Sequence, residues 1–175
     1  MLEEPFLSVF YTLYLEILFK ILVERLISMK KRIVLDAPID QLFDAFISPT
    51  LEAYTQSKKK EPDEEALKHG LSFQVLVPGA KQTKYATVKV LKYDKPHLFS
   101  MEYTSSTFHK IDTMWLKETD KNKVEVISQH MEESIRNGKV VKSKGKDDMD
   151  KIVPMPLFER AKYMRLASAV KKGLL

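Results

Sequence analysis

The sequence predicts one α+β domain that combines an antiparallel sheet of about six strands with a long C-terminal helix. Its 175 residues suffice for one compact domain and are too few for two full ones. Between residues 72 and 130, hydrophobicity alternates with a period of two in five successive segments, which is typical of strands joined by short turns. From about residue 157 the apolar spacing is helical and continues almost to the C-terminus.

The first elements of the domain are predicted to be a strand and one or two short helices. Residues 31–35 form a β-type run, and Pro38 suits the first turn of the helix that follows. Apolar side chains then occur at i, i+3, i+4 and i+7, at Ile39, Leu42, Phe43 and Phe46. We expect Pro49 to interrupt this helix before a short continuation, and the charged run 58–65 to be a loop or an exposed helix end.

Five strand candidates follow with short connections, which predicts an antiparallel meander. Their alternating sets are Phe73, Val75 and Val77; Ala86, Val88 and Val90; Phe99, Met101 and Tyr103; Ile111, Thr113 and Trp115; and Val124, Val126, Ser128 and His130. Turn residues between these segments are Pro78-Gly79, Lys95-Pro96, Ser105-Ser106 and Asp120-Lys121-Asn122.

The C-terminal part is predicted to be a loop followed by a helix. Residues 137–151 contain two glycines, five lysines and three aspartates, and we expect an exposed, mobile loop. Pro154 and Pro156 open a helix that runs to about Lys172, where Gly173 is a stop signal. One apolar face of this helix holds Tyr163, Leu166, Ala167, Val170 and Leu174, and near a second face lie Leu157, Ala161, Met164 and Ser168.

Residues 1–28 are predicted to be an apolar helical extension of a domain at 29–175. Sixteen residues between positions 5 and 27 are apolar or aromatic, and polar ones recur every four positions, which is a helical spacing. A transmembrane helix has this length, but Glu16 and Lys20 would lie near mid-bilayer, where ionisable groups are costly. We favour an extension or interfacial helix over a membrane span, and a signal peptide fits least because the N-terminus is acidic.

Composition excludes several classes of function. The chain has no cysteine, which excludes a disulfide framework, a thiolate metal site and a cysteine nucleophile, and is consistent with a reducing cytoplasm. Its net charge is +5, and residues 136–172 hold eleven Lys/Arg against four acids. A basic segment of this kind attracts phosphate groups of lipids or nucleic acids, although the same charges also occur on ordinary solvated surfaces.

Two stretches carry a resemblance to a known superfamily. Residues 33–46 resemble the opening strand, Ala-Pro corner and first helix of the START-like, or helix-grip, superfamily, and residues 92–103 resemble its central hairpin. Within that superfamily the chain is most similar to a small uncharacterised bacterial family. The resemblance covers roughly Met29 to Val170. It implies a curved sheet that wraps the C-terminal helix and leaves a cavity for lipids, sterols, polyketides or plant hormones, and a minority of members catalyse cyclisation or hydrolysis.

The candidate cavity residues are mostly aromatic. Phe99, Met101 and Tyr103 share one strand face, which Trp115 could join and which Tyr163 of the last helix could face. If the sheet curves round that helix, these side chains line an apolar cavity with a few polar tips, as ligand pockets do. The same side chains would also serve simply as the core of the domain.

Polar candidates are few. His130 is in phase with Val126, either as a polar group of the cavity or as a buried histidine bonded to backbone. Lys162 and Arg165 could hold an acid group at the cavity mouth, or could simply be exposed. The remaining histidines show no zinc spacing, and no glycine-rich phosphate loop or catalytic signature occurs. We therefore predict no catalytic residue, no metal and no cofactor.

The leading functional hypothesis is a carrier or sensor that holds an apolar or lipid-like small molecule between the sheet and the C-terminal helix. One alternative is an interaction protein whose basic residues 136–172, helped by residues 1–28, contact an anionic membrane. Nucleic acid fits this alternative less well because no aromatic residues interleave with the basic ones. The second alternative is a cyclase- or hydrolase-type enzyme that uses His130. The oligomeric state stays open, and we expect a cytoplasmic protein that can associate with a membrane.

Overall fold

The structure is a computed structural model that describes residues 30–77, 85–144 and 151–174. The predicted helix within residues 1–28, the predicted turn at Pro78-Gly79 and residues 145–150 of the predicted loop lie outside the described residues. Within the described ranges, eight strands form one curved sheet, accompanied by three helices. The architecture is therefore α+β, with an antiparallel sheet and a C-terminal helix, as the sequence predicts.

The helices and strands have the following bounds. The strands are β1 (Lys30–Asp36), β2 (Ser72–Leu76), β3 (Tyr85–Asp94), β4 (Leu98–Thr104), β5 (Phe108–Asp120), β6 (Lys123–Arg136), β7 (Lys139–Lys144) and β8 (Ile152–Pro154). The helices are α1 (Ile39–Lys58), α2 (Glu64–Lys68) and α3 (Leu157–Lys171). The strand order is β2-β3-β4-β5-β6-β1-β8, with β7 paired to β6. Every pairing is antiparallel except the parallel pairing of β8 with β1. No helix in the described ranges is long and apolar enough to cross a membrane.

The register of the central strands determines which side chains face the helices. Ile33 and Leu35 of β1 lie opposite Val126 and Val124 of β6, and Val126 lies opposite Leu116 of β5. All five are buried and belong to the same core as the helices. Because side chains alternate along a strand, these residues define the inner face of the sheet, and every second residue from them shares that face.

Helix α1 contributes most of the helical part of the core. Leu42, Phe43 and Ile47 are buried, and the Phe43 ring meets Phe99 of β4 edge-on at 6.5 Å between centroids. The prediction that Pro49 interrupts this helix is wrong, because α1 continues without a break to Lys58. The packing of its apolar face outweighs the loss of one backbone hydrogen bond at the proline.

Helix α3 is packed more lightly and is tied to β1 at both of its ends. Of its described residues, Ala167 and Val170 are the buried ones. Near its start Glu159 pairs with Lys31, and at its end Lys171 Nζ lies 2.5 Å from Asp36 Oδ2. Its predicted stop is confirmed, since the helix ends at Lys171 and Gly173 follows with φ +64°.

A hairpin replaces part of the predicted mobile loop at 137–151. Strand β7 pairs with β6, and Asn137 and Gly138 turn the chain with φ values of 53° and 71°. Asn-Gly between two strands favours a two-residue hairpin because both of its residues adopt positive φ at low cost. The Asn-Gly pair is visible in the sequence, but the glycines, lysines and aspartates of the whole segment favoured a loop over a hairpin.

Candidate functional site

A cavity of about 390 Å³ lies between the inner face of the sheet and helices α1 and α3. Ligand pockets in proteins have volumes of this order. Strands β1, β4, β5 and β6 form its floor, while Phe46 of α1 and Tyr163 of α3 contribute from above. The two rings contact each other at 5.3 Å between centroids, so they join the two helices over the cavity.

One half of the cavity is apolar. Phe99 and Met101 point inward from β4, and Met114, which lies opposite Phe99, points inward from β5. Phe46 covers this half from α1. Thioether and aromatic side chains present a polarisable surface that adapts to irregular apolar ligands.

The other half is polar because the inner face changes character from one strand to the next. In one row across the sheet, Phe99 of β4 is followed by Met114 of β5, Ser128 of β6 and Lys31 of β1. In the next row, Met101 is followed by Asp112 and His130. The inner face is therefore apolar at β4, mixed at β5, where Met114 is apolar and Asp112 is ionisable, and polar at β6 and β1.

Asp112 and His130 form the best-defined polar contact in the cavity. His130 Nδ1 donates a hydrogen bond of 2.6 Å to Asp112 Oδ1, and Lys110 Nζ lies 2.8 Å from Asp112 Oδ2. Burial raises the pKa of Asp112. The hydrogen bonds from His130 and Lys110 together lower it by a larger amount, so the net pKa lies below its ordinary value. The carboxylate therefore stays ionised and orients the imidazole, whose Nε2 lies 3.4 Å from Glu132 Oε2.

Lys31 and Glu159 form an ion pair in the wall of the cavity. Only 8% of the Lys31 side chain is exposed, and the ion pair with Glu159 compensates for the hydration that its ammonium group loses. Lys162, which also lines the cavity, forms no ion pair with any described residue and is exposed. The cation at the mouth is thus available to a ligand, while the buried one is already neutralised.

Tyr163 places a phenol between the two halves. Burial raises the pKa of its hydroxyl, and the opposing hydrogen bond to Ser128 is the smaller effect. At neutral pH the phenol therefore keeps its proton and can donate a hydrogen bond. Its ring packs on Phe46 of the apolar half, so the side chain contacts both environments.

Five of the residues singled out in the sequence line this cavity, namely Phe99, Met101, His130, Lys162 and Tyr163. Tyr103 shares the inner face of β4 but lies beyond the cavity lining, where its hydroxyl donates to Met101 Sδ at 3.1 Å. Arg165 is on the exposed part of α3 and does not line the cavity.

The expected placement of Trp115 needs correction. Trp115 lies opposite Leu98 and Ile127, which puts it on the outer face of the sheet, away from the cavity. There it lines a separate outer groove of about 530 Å³ with Lys30, whose Nζ is 5.4 Å from the Trp115 ring centroid. The reason is that the neighbouring Leu116 takes the inner position opposite Val126.

Sequence reasoning missed the charged part of the cavity. Asp112, Lys31 and Glu159 all line it, and none was a candidate. For Asp112 a signal existed, since it is in phase with Met114 and Leu116 rather than with Trp115. The pairing of Lys31 with Glu159 had no local signal, because 128 positions separate them.

Comparisons with known proteins give a family and three distant structural similarities. CalU16 from Micromonospora echinospora is 16% identical with a TM-score of 0.37, covering 66% of this chain and 59% of its own length, so the chain spans less than two thirds of that protein. A conserved protein from Geobacillus kaustophilus is 9% identical with a TM-score of 0.46, covering 82% of this chain and 94% of its own. The Zhui aromatase/cyclase from Streptomyces sp. R1128 is 13% identical with a TM-score of 0.44, covering 82% and 83%.

No match was found among curated proteins. A family model described as "Domain of unknown function (DUF3284)" matches residues 29–144. This agrees with the predicted resemblance to an uncharacterised family, and it assigns no activity.

Proposed function

The chain belongs to the family described as "Domain of unknown function (DUF3284)", and we propose that it binds an amphipathic small molecule between its sheet and helix α3. The observation that carries the proposal is the division of the cavity into an apolar half at β4, α1 and Met114 of β5, and an ionisable half at Asp112 of β5, β6, β1 and α3. In this proposal residues 29–175 are the functional unit, as the resemblance to the START-like superfamily implies.

The apolar half supports an apolar body of the ligand. Met101 and Met114 line the cavity and keep part of their surface exposed to it. Each methylene group of a ligand that leaves water for such a surface contributes about 0.8 kcal/mol. Contact with this half would therefore supply most of the affinity, with little selectivity among apolar bodies of similar size.

The polar half supports a head group that accepts hydrogen bonds or carries negative charge. Lys162 has no ion-pair partner among the described residues, and Tyr163 keeps a proton to donate. Asp112 and Glu159 are both occupied, by His130 and Lys31. A carboxylate at the mouth would therefore meet an available cation, without first having to break an internal ion pair.

Titration calorimetry with two probes tests the proposal on the full chain. Dodecanoate should bind more tightly than dodecanol. Lys162→Gln should weaken dodecanoate several-fold and leave dodecanol unchanged, because a partly exposed ion pair contributes up to about 1 kcal/mol. Lys172→Gln is the matched control, since it removes a lysine from the exposed end of α3. Met101→Asp should weaken both probes by roughly tenfold or more, because it puts a charge into the apolar half.

The proposal fails if neither probe binds, or if Lys162→Gln and Lys172→Gln behave alike while Met101→Asp binds as the wild type does. Native mass spectrometry of the purified chain, followed by denaturing extraction, is the complementary measurement. A co-purified amphipathic molecule would identify the natural ligand class directly.

A second candidate function is hydrolysis, which the contact between Asp112 and His130 favours. The carboxylate holds Nδ1 of the imidazole, and Nε2 can take a proton from water as it attacks a bound ester once that water replaces the 3.4 Å contact of Nε2 with Glu132. The 4-nitrophenyl ester of dodecanoic acid is the probe, and His130→Gln should lose turnover but not dodecanoate binding. His97→Gln is the control, because His97 lines the outer groove. Equal turnover in wild type and His130→Gln excludes this candidate.

A further inference from the structure

Helix α3 has two apolar faces, and the sheet covers one of them. Ala167 and Val170 are buried against the core. Leu157, Ala161 and Met164 follow the spacing i, i+4, i+7 and form a stripe on another side of the helix, roughly 120° from the buried pair. Leu157 is 81% exposed and Met164 54% exposed. A helix that only packs on one sheet needs one apolar face, so this second stripe calls for another explanation.

Basic side chains flank the stripe on both sides. At 100° per residue, Arg160 lies on one side of it and Arg165 on the other, and both are exposed. Neither forms an ion pair with a described residue. The one acidic residue of α3, Glu159, is occupied by Lys31. The exposed face of α3 is therefore apolar along its centre from Leu157 to Met164, ends at the polar Ser168, and is positive along its edges.

We propose that this exposed face of α3 docks on an anionic lipid bilayer. An amphipathic helix lies in the membrane interface when its apolar stripe enters the acyl boundary and its flanking cations meet lipid phosphates. Phe158, which is 75% exposed in the first turn, adds an aromatic side chain to the exposed side of α3, next to the edge that Arg165 marks.

A bilayer fits this face better than the other possible partners. A second copy of the chain would place the flanking arginines of two stripes against each other, and like charges at an interface are costly. A nucleic acid would satisfy Arg160 and Arg165 but would leave Leu157 and Met164 against a charged backbone. A bilayer with anionic headgroups accommodates both the stripe and its edges.

The docking face and the cavity lie on different sides of α3. Lys162 and Tyr163, in the same turns of α3 as the stripe, line the cavity from the side of the helix that faces away from the stripe. Docking would therefore hold the cavity one helix diameter, roughly 10 Å, from the bilayer surface. The docking surface does not require the proposed ligand, and each of the two proposals can fail without the other.

Co-sedimentation of the full chain with lipid vesicles tests the docking surface. The chain should bind phosphatidylcholine vesicles that contain phosphatidylglycerol more tightly than pure phosphatidylcholine vesicles, and added salt should weaken the difference. Leu157→Ser combined with Met164→Ser should weaken binding by roughly tenfold, because the stripe no longer enters the interface. Arg160→Gln combined with Arg165→Gln should also weaken binding by roughly tenfold, and only on anionic vesicles.

The matched control is Val140→Ser combined with Val141→Ser, which removes two exposed apolar side chains of β7. It should bind vesicles as the wild type does. All these variants retain residues 1–28. If the stripe variant binds vesicles as tightly as the wild type, another part of the chain makes the membrane contact and the proposal is overturned. Gel filtration supplies the second criterion: a dimer in the wild type that the stripe substitutions dissociate would identify a second copy as the partner and would equally overturn it.

Discussion

Helices α1 and α3 cover the same face of one sheet, but different forces hold them there. Helix α1 buries Leu42, Phe43 and Ile47 in the core, whereas α3 buries the smaller Ala167 and Val170 and is tied to β1 by an ion pair at each end. Apolar burial is stronger and less directional than ion pairing. The comparison indicates that α1 contributes more to the stability of the fold, while α3 keeps an exposed surface and cavity-facing charges, to which we assign binding only as a proposal.

The largest expected effect on stability appears when a phenylalanine of α1 and a phenylalanine of α3 are each replaced by alanine. Phe43→Ala should lower the free energy of unfolding by about 3–5 kcal/mol, because it leaves a void in the core. Phe158→Ala on α3 should change it by less than about 0.5 kcal/mol, because that ring is exposed. Urea unfolding measures both. Similar losses in the two variants would show that α3 contributes to the core as α1 does.

The next effect separates the two ends of α3. Lys31→Met leaves Glu159 without its partner in a half-buried setting and should cost about 1.5–3 kcal/mol. Lys171→Met should cost at most about 1 kcal/mol, because its pair with Asp36 is 61% exposed on both sides. Hydrogen exchange should show faster exchange of α3 amides in the first variant, with α1 unchanged. Uniform acceleration across both helices would contradict the assignment.

A smaller effect on the free energy of unfolding is expected from the contact between the two helices. Phe46 of α1 and Tyr163 of α3 pack at 5.3 Å between ring centroids. A double-mutant cycle with Phe46→Leu and Tyr163→Leu should give a coupling energy of about 0.5–1.5 kcal/mol in urea unfolding. Additive effects would mean that the helices are held independently, each by the sheet alone.

Part of the stability of the sheet beneath both helices is expected to depend on pH. On its outer face His109 Nδ1 lies 3.1 Å from Glu133 Oε2, and Nε2 lies 2.7 Å from Glu102 Oε1. The hydrogen bond with Glu133 raises the pKa of His109, burial lowers it, and Glu102 raises it again, so the net pKa lies above its ordinary value.

The stability from His109 is therefore complete below about pH 6.5, the pKa of an unfolded histidine, and is lost as the pH rises through the raised pKa of the folded state. His109→Gln should remove this dependence in urea unfolding curves recorded across neutral pH, while Phe43→Ala should keep it. A pH profile that is the same with and without His109 would assign the dependence to other groups.

Much of the fold was predictable because its signals are local. Alternation in residues 72–130 predicted strands β2 to β6 in the correct order, and Gly173 marked the end of α3. The same alternation predicted that Phe99 and Met101 share a face. The predicted interruption at Pro49 was wrong because the rule for proline takes only the backbone into account, whereas the buried face of α1 continues past this residue.

The candidate site was predictable in its apolar half and only partly in its polar half, where His130 was a candidate and Asp112 was not. Alternation divides β5 into two sets, one with Trp115 and one with Asp112, but it does not say which set faces inward. That choice depends on Leu116 meeting Val126 across the sheet. As a result, Trp115, which lines the outer groove, was predicted to line the cavity, and Asp112, which does line it, was not.

By itself the sequence determined the kinds and order of the elements from β1 to β6, the C-terminal helix with its two apolar faces, and the basic character of the C-terminal region, since each depends on local sequence. Only the tertiary structure decided which charges meet. Asp112 and His130 face each other because β5 and β6 pair in that register, and Lys31 meets Glu159 because α3 returns to β1. Such contacts depend on strand register and helix placement, which arise from packing across the whole domain and have no counterpart in local periodicity.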